Sequence, residues 1–293
     1  MRPSSDRQVS PAEALIAQID AREKARQAPA ANAPPDAVRS GFPSIDRVLG
    51  GGLRRQDFLV LAGDVGAGKS ALALAVAIRA AAHGHPVLYL SGEMSEERLL
   101  ERALALEARV AVDTIRKGEL DDLERAALGA AAIRLRDYPL MLRPLRSGRA
   151  ELTEALRTVP RRALCIVDEL QLVEAPAPGE TPEQSLAGVA RFCKQVALDE
   201  DVALLAVASL PRLRPMRQDP RPTLEDLGGG GVVKQLADVV LAIYREEMYR
   251  PAIGVEGAVE LLTLKNRNGP TGYLDLYFYR QWLRFEDMLD PDR

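Results

Sequence analysis

Phe58-Leu59-Val60-Leu61-Ala62-Gly63-Asp64-Val65-Gly66-Ala67-Gly68-Lys69-Ser70 is the stretch whose reading decides the fold. Its first five residues are apolar, as in a strand buried on both faces. The next eight satisfy G-x-x-x-x-G-K-[ST], and a run over 70–83 follows with helical spacing. Strand, glycine-rich loop and helix in this order build a cradle for phosphate. The glycines let backbone N–H groups curl around phosphate oxygens, and the helix N-terminus adds partial positive charge. Lys69 reaches the terminal phosphates and Ser70 offers a hydroxyl to magnesium. The expected nucleotide contacts are Gly63, Asp64, Val65, Gly66, Ala67, Gly68, Lys69, Ser70 and Ala71, with ATP and Mg2+ as ligands. A chance glycine turn is the competing reading, and it accounts for neither the lysine nor the serine.

Outward from this loop, apolar runs at 87–90, 164–167, 203–208 and 239–244 read as further strands buried on both faces. Stretches over 95–108, 120–136 and 184–198 have helical length and periodicity. That alternation predicts an α/β fold with a mostly parallel central sheet wrapped by helices. Residues 260–265 and 273–279, joined through 266–272, predict a C-terminal hairpin. Ser10-Pro11-Ala12-Glu13 carries a helix-start signature, so a short N-terminal helix is expected over 11–27. Its apolar residues Leu15, Ile16 and Ile19 form one narrow stripe that needs another surface to dock on. An Ala/Pro-rich linker over 28–37 follows, giving a division into 1–40 and a body over 41–293.

The chain of 293 residues is 47% hydrophobic, enough for one large domain with a substantial core. Its net charge of -3 excludes an overall basic field, so nucleic-acid contacts must come from local clusters. The two cysteines, Cys165 and Cys193, have no metal-type spacing, and Cys165 reads as a small core hydrophobe. Neither a signal peptide nor a membrane span is read from the apolar pattern, and a cytoplasmic location is expected. The recurrence of alanine and arginine reads as base-composition bias.

Three further groups carry chemistry. Asp168 ends the apolar run Leu164-Cys165-Ile166-Val167, where a magnesium partner belongs; a solvated turn carboxylate is the alternative. Glu93, in Ser91-Gly92-Glu93-Met94-Ser95, stands at the carboxyl edge of the sheet, where it could polarise the attacking water. Alternatively it is a carboxylate favoured by the start of the helix at Ser95. Lys265-Asn266-Arg267-Asn268-Gly269-Pro270 is a tight turn with two fixed cations, either a solvated hairpin tip or an arginine finger offered to a neighbouring subunit.

Taken together, these residues resemble the C-terminal ATPase domain of DnaB-type replicative helicases over about 40–285. The resemblance is carried by Gly41-Phe42-Pro43-Ser44-Ile45-Asp46, Gly50-Gly51-Gly52-Leu53, Leu90-Ser91-Gly92-Glu93-Met94-Ser95 and Asp168-Glu169-Leu170-Gln171-Leu172. Arg221-Pro222, Asp226-Leu227, Ala237-Asp238-Val239-Val240 and the turn Lys265 to Gly272 continue it in order. It implies a RecA-like P-loop NTPase fold and a homo-hexameric ring with ATP at subunit interfaces. It also implies helicase or translocase activity along single-stranded DNA in the 5′-to-3′ sense. By the same resemblance Glu93 and Lys69 are catalytic, Asp168 is the second magnesium-associated carboxylate, and Lys265 and Arg267 face a neighbour's nucleotide. The N-terminal helix resembles the linker helix that packs on an adjacent subunit, and a replication or loader protein is a possible partner.

The chain also departs from the family pattern. The family's globular N-terminal domain has no room in 1–40. Ser209 stands where the family has a glutamine linking γ-phosphate to the DNA loops, and Pro211 replaces the asparagine that follows. Gly228-Gly229-Gly230-Gly231 replaces an Arg-Glu-Ser-Gly loop, which leaves Gly229 and Gly230 as backbone donors for phosphate. The loop 174–180 is acidic and proline-rich, and positive charge collects instead at Arg212, Arg214, Arg217 and Arg221. Arg212, Arg214 and Arg217 line a DNA path on one reading and a solvated basic loop on the other, no aromatic being interleaved. Two alternatives to a helicase stay open: an ATP-driven switch or accessory protein that does not unwind DNA, and a recombination or repair ATPase of the RecA group.

Overall fold

A computed structural model of the chain describes residues 15–17, 19–20, 36–146, 148–160, 163–210, 217–251 and 254–288. A two-residue pair, β1 (Ala37–Val38) and β2 (Leu53–Arg54), stands apart from the main sheet. The main sheet contains β3 (Phe58–Gly63), β4 (Val87–Ser91), β5 (Leu140–Pro144), β6 (Leu164–Asp168), β7 (Ala203–Ser209) and β8 (Val239–Tyr244), all parallel. Beyond β8, the strands β9 (Ala258–Asn266), β10 (Gly272–Tyr279) and β11 (Arg284–Asp287) extend it antiparallel. The nine strands run in the order β11-β10-β9-β8-β3-β7-β6-β4-β5. This is the α/β architecture with a mostly parallel sheet that the sequence predicts.

Eight helices are described from residue 36 onward: α1 (Pro43–Val48), α2 (Lys69–Ala82), α3 (Glu96–Ala108), α4 (Val112–Lys117), α5 (Asp122–Asp137), α6 (Gly148–Arg157), α7 (Pro182–Asp199) and α8 (Val232–Leu236). Several of their starts are capped by residues suited to the task. Ser95 accepts the Arg98 N–H at 3.4 Å, and Asp121 with Glu124 and Thr181 with Gln184 form capping boxes.

Alternation along β3 sends Leu59 and Leu61 to one core and Phe58, Val60 and Ala62 to the other. The first core is filled by α2, the second by α6 and α7. Every residue of β3 is buried, as a strand covered by helices on both faces requires. The alanines that read as compositional bias have a structural use here. Ala71, Ala73, Ala75, Ala77, Ala80 and Ala81 are buried along α2, which packs against β4, β6, β7 and β11. Small side chains let a helix enclosed nearly all round approach the sheet closely. Cys165 and Cys193 lie in the second core, where burial pushes the Cys193 thiol up to about 12.

Several elements lie outside the sequence expectation. β5 runs between Pro139 and Pro144 at the sheet edge, where a missing N–H costs no ladder bond. The hairpin is longer than expected and is followed by β11 on its outer side. The linker expected over 28–37 ends in buried, paired structure at Ala37. Of the N-terminal helix, 15–17 and 19–20 are described and helical, with Leu15, Ile16 and Ile19 exposed. The remainder of that helix, and 28–35 of the linker, fall outside the described residues. Among the described residues no helix is long and apolar enough to cross a membrane.

Candidate nucleotide site

The loop from Gly63 to Lys69 leaves the carboxyl end of β3 and enters α2. Gly68 takes φ 102°, a left-handed conformation at the helix N-cap, and a Cβ there would meet Phe285 at 3.0 Å. Glycine is required on both counts. The Asp64 carboxylate accepts the Val65 N–H at 2.7 Å and the Tyr249 hydroxyl at 3.1 Å, while Lys69 Nζ donates to the Asp64 carbonyl at 3.1 Å. Arg245, buried just beyond β8, donates to the Gly66 carbonyl at 3.1 Å, pairs with Glu247 and stacks over Phe278 at 4.8 Å.

Ser70, Asp168 and Tyr89 form one chain. The Ser70 hydroxyl donates to Asp168 Oδ1 at 3.1 Å and the Tyr89 hydroxyl to Oδ2 at 2.6 Å. Burial raises the Asp168 carboxyl above its usual range, and the two hydroxyl donors pull it back. Burial lowers the Lys69 amine, opposed by Glu169, Asp168, Asp64 and Glu93. These carboxylates favour the charged form of Lys69 against the pull of its burial. Among the described residues no three His, Cys, Asp or Glu groups are arranged to hold a metal alone. Magnesium held by few protein oxygens together with substrate phosphates suits this donor set.

A cavity of about 490 Å3 brings Lys69, Ser70 and Glu93 together with Glu169, Ser209 and Arg245. Glu93 is carried there by a short loop whose fold is dictated locally. The buried Ser91 hydroxyl accepts the N–H groups of Glu93 and Met94 at 3.3 and 3.0 Å. Gly92 donates to the Asp168 carbonyl at 2.7 Å, and a Cβ on it would strike Leu172 at 2.7 Å. Sequence reasoning misses Glu169, Arg245 and Tyr89. Arg245 has a usable signal, a charge ending an apolar strand next to β3, as Asp168 ends β6. Ser209 donates to Glu169 Oε2 at 2.6 Å, and its backbone carbonyl and N–H engage the Gln171 amide at 2.7 and 3.4 Å.

The Lys265–Arg267 turn lies at the opposite end of the sheet. Lys265 pairs with Val240 and Asn266 with Val239 near the start of β8, whereas Gly63 pairs with Ile243 near its end. At about 3.3 Å per residue, these registers are roughly 10–13 Å apart along the strand. Asn266 ties the turn to the body by donating to the Val48 carbonyl at 3.0 Å. Lys265 Nζ donates to the Lys234 and Gln235 carbonyls at 2.7 and 3.1 Å.

Of the expected nucleic-acid residues, Arg217, Gly229 and Gly230 are described. Arg212 and Arg214 lie outside the described residues. Arg217 donates to Asp226 at 2.7 Å and Thr223 at 3.2 Å, and Arg221 clasps Glu260 through two bonds of 2.7 and 2.6 Å. The N–H groups of Gly229 and Gly230 both donate to one oxygen of Glu183, the latter at 2.9 Å. Beside them is a cavity of about 750 Å3 that also meets Arg149, Glu180 and Arg191.

The family model described as "DnaB-like helicase C terminal domain" matches residues 37–287. The replicative DNA helicase DnaB of Pasteurella multocida (strain Pm70) is 32% identical over 261 residues, covering 86% of this chain and 56% of that protein. The DnaB of Leifsonia xyli subsp. xyli (strain CTCB07) is 32% identical over 257 residues, with the same coverage, 86% and 56%. The chain therefore spans about half the length of these curated relatives. Among solved structures, one described as an ATPase domain superposes with a TM-score of 0.85 at 24% identity, covering 96% of this chain and 99% of that one. "The Structure Of A DnaB-Like Replicative Helicase And Its Interactions With Primase" gives 0.83 at 24% identity, covering 98% and 68%. At that identity the two structures speak for the fold, and the sequence match carries the conclusion: this chain belongs to the family of DnaB-like helicase C-terminal domains.

Proposed function

We propose that this chain is the ATP-hydrolysing motor of a DnaB-type helicase, working in a homo-oligomeric, hexameric ring on single-stranded DNA. One observation carries the reading: the phosphate cradle and the Lys265–Arg267 turn stand toward opposite ends of β8 in the same sheet, which supports a finger that serves a neighbour's nucleotide rather than its own. On this reading a neighbour's turn completes the site. Lys69 holds the terminal phosphates and Ser70 with Asp168 would hold magnesium, which lends charge to the leaving oxygens. Glu93 accepts a proton from the water that attacks the γ-phosphorus, and a neighbour's Arg267 and Lys265 balance the charge that develops. The exposed Leu15, Ile16 and Ile19 support a linker-helix role for 1–40 against the adjacent subunit, with 41–293 as the motor. A cytoplasmic setting follows from the same reading.

A second reading, a partner-regulated ATPase that does not unwind DNA, is favoured by the Glu183 carboxylate on Gly229 and Gly230 and by the pairing of Arg217. Ser209 favours it as well: it replaces the glutamine that links γ-phosphate to the DNA loops, and its hydroxyl is engaged by Glu169 of the nucleotide cavity. Steady-state ATP hydrolysis at low salt, with and without single-stranded DNA, decides between the two. Strong stimulation is expected for the motor, with Glu93→Gln losing about 10²–10⁴-fold in rate while still binding ATP. Hydrolysis indifferent to DNA favours the regulated ATPase.

A further inference from the structure

Asp238 precedes β8 with its side chain only 4% exposed, and both its carboxylate oxygens are used. Oδ2 accepts the Phe58 N–H at 2.8 Å and the Lys194 amine at 2.6 Å. Oδ1 faces the Arg267 guanidinium at 3.3 Å. The backbone is engaged as well, the Arg267 N–H donating to the Asp238 carbonyl at 2.8 Å. One residue therefore grips Arg267 twice, by main chain and by side chain. Through its other oxygen it is keyed to the first residue of β3, the strand that ends in the phosphate cradle.

Arginine carries many rotamers, and a finger that must meet a phosphate on another molecule gains from being oriented beforehand. Arg267 is half exposed, so an anchor at one nitrogen restricts its swing and leaves the rest of the fork facing outward. The second Arg267 nitrogen lies 3.5 Å from the Gln235 carbonyl, a weak contact beside the Asp238 pair. Lys194 is fixed independently, donating to the Gln56 carbonyl at 2.9 Å, so it balances the buried carboxylate whether or not Arg267 swings away.

We propose that Asp238 is a positioning residue for hydrolysis in the adjacent subunit: it aims Arg267 and ties that aim to the strand bearing its own phosphate cradle. The proposal rests on the reading that Arg267 acts in trans. The test is complementation between variants. A random equal mixture of Arg267→Ala and Lys69→Ala subunits should recover about a quarter of wild-type ATPase activity, because one interface in four joins two intact halves.

Asp238→Asn, which keeps an acceptor for Phe58, is expected to lose about 100-fold in kcat at unchanged KM for ATP. It should regain activity when mixed with Lys69→Ala and gain none with Arg267→Ala. The reverse pattern would place Asp238 in its own subunit's site and overturn the proposal. So would an Asp238→Asn protein that no longer assembles or binds ATP. Lys194→Gln is expected to keep kcat within about twofold, since Arg267 still faces the carboxylate; a loss equal to that of Asp238→Asn identifies a structural ion pair instead. If Arg267→Ala and Lys69→Ala fail to complement each other, the trans reading itself falls.

Discussion

Asp57 sits beneath the Asp238 cluster with its carboxyl raised to about 6, by burial first and then by the Asp238 charge, against the pull of Lys194, Arg54 and Arg267. The folded carboxyl therefore binds a proton more tightly than the unfolded one. Stability from this group falls as pH rises from about 4 to about 6, and the loss is complete above that window. Asp57→Asn is expected to stabilise the protein by about 1–3 kcal/mol at pH 7.5, with a smaller gain at pH 5. Denaturant unfolding at the two pH values checks it, and an equal gain at both would contradict the account. Legibility at this scale follows the reach of each contact. Lys69 and Ser70 belong to a local motif and are read directly. The Tyr89–Asp168 bond crosses 79 residues and depends on the register that sets Ser91 beside Asp168, which no local pattern encodes. Arg245 on Gly66 spans 179 residues and escapes for the same reason.

Among the elements, the turn before α8 carries its own anion. Gly229, Gly230 and Gly231 take φ of 78°, 58° and 83°, and two of their N–H groups converge on Glu183 in the first turn of α7. Successive donors of this kind form a nest suited to phosphate, and a carboxylate within it competes for the place. Glu183→Gln is expected to tighten single-strand binding by about 3–10-fold at low salt and to steepen its salt dependence. Unchanged affinity and slope would remove this loop from the DNA path. The strands β3, β4, β6, β7 and β8 are legible because an enclosed parallel strand is a short unbroken apolar run. β5 is not, since the bracketing prolines read as breakers and only its place at the sheet edge makes them harmless. β1, β2 and β11 are too short to show a period and exist because a distant partner pairs with them.

At the scale of the whole molecule, the proposed trans site makes activity depend on assembly. With cradle and finger on different copies, hydrolysis per chain should fall on dilution through the dissociation range and recover on concentration. Measuring specific activity beside sedimentation over the same concentrations tests this; constant activity in a monomeric sample would mean that each chain completes its own site. The sheet is legible from the strand pattern, but its ends become meaningful only through the return of β9 along β8.

The same antiparallel return has a consequence for symmetry. A contact that joins the carboxyl edge of one sheet to the amino edge of the next is head-to-tail, so a two-fold axis cannot relate the partners. An open row of such copies always ends in one cradle without a finger and one finger without a cradle. On the proposed trans reading, closure by rotation would remove both loose ends, and every interface would then point the same way round, a sense of direction that each chain already carries in the path of β8 and β9.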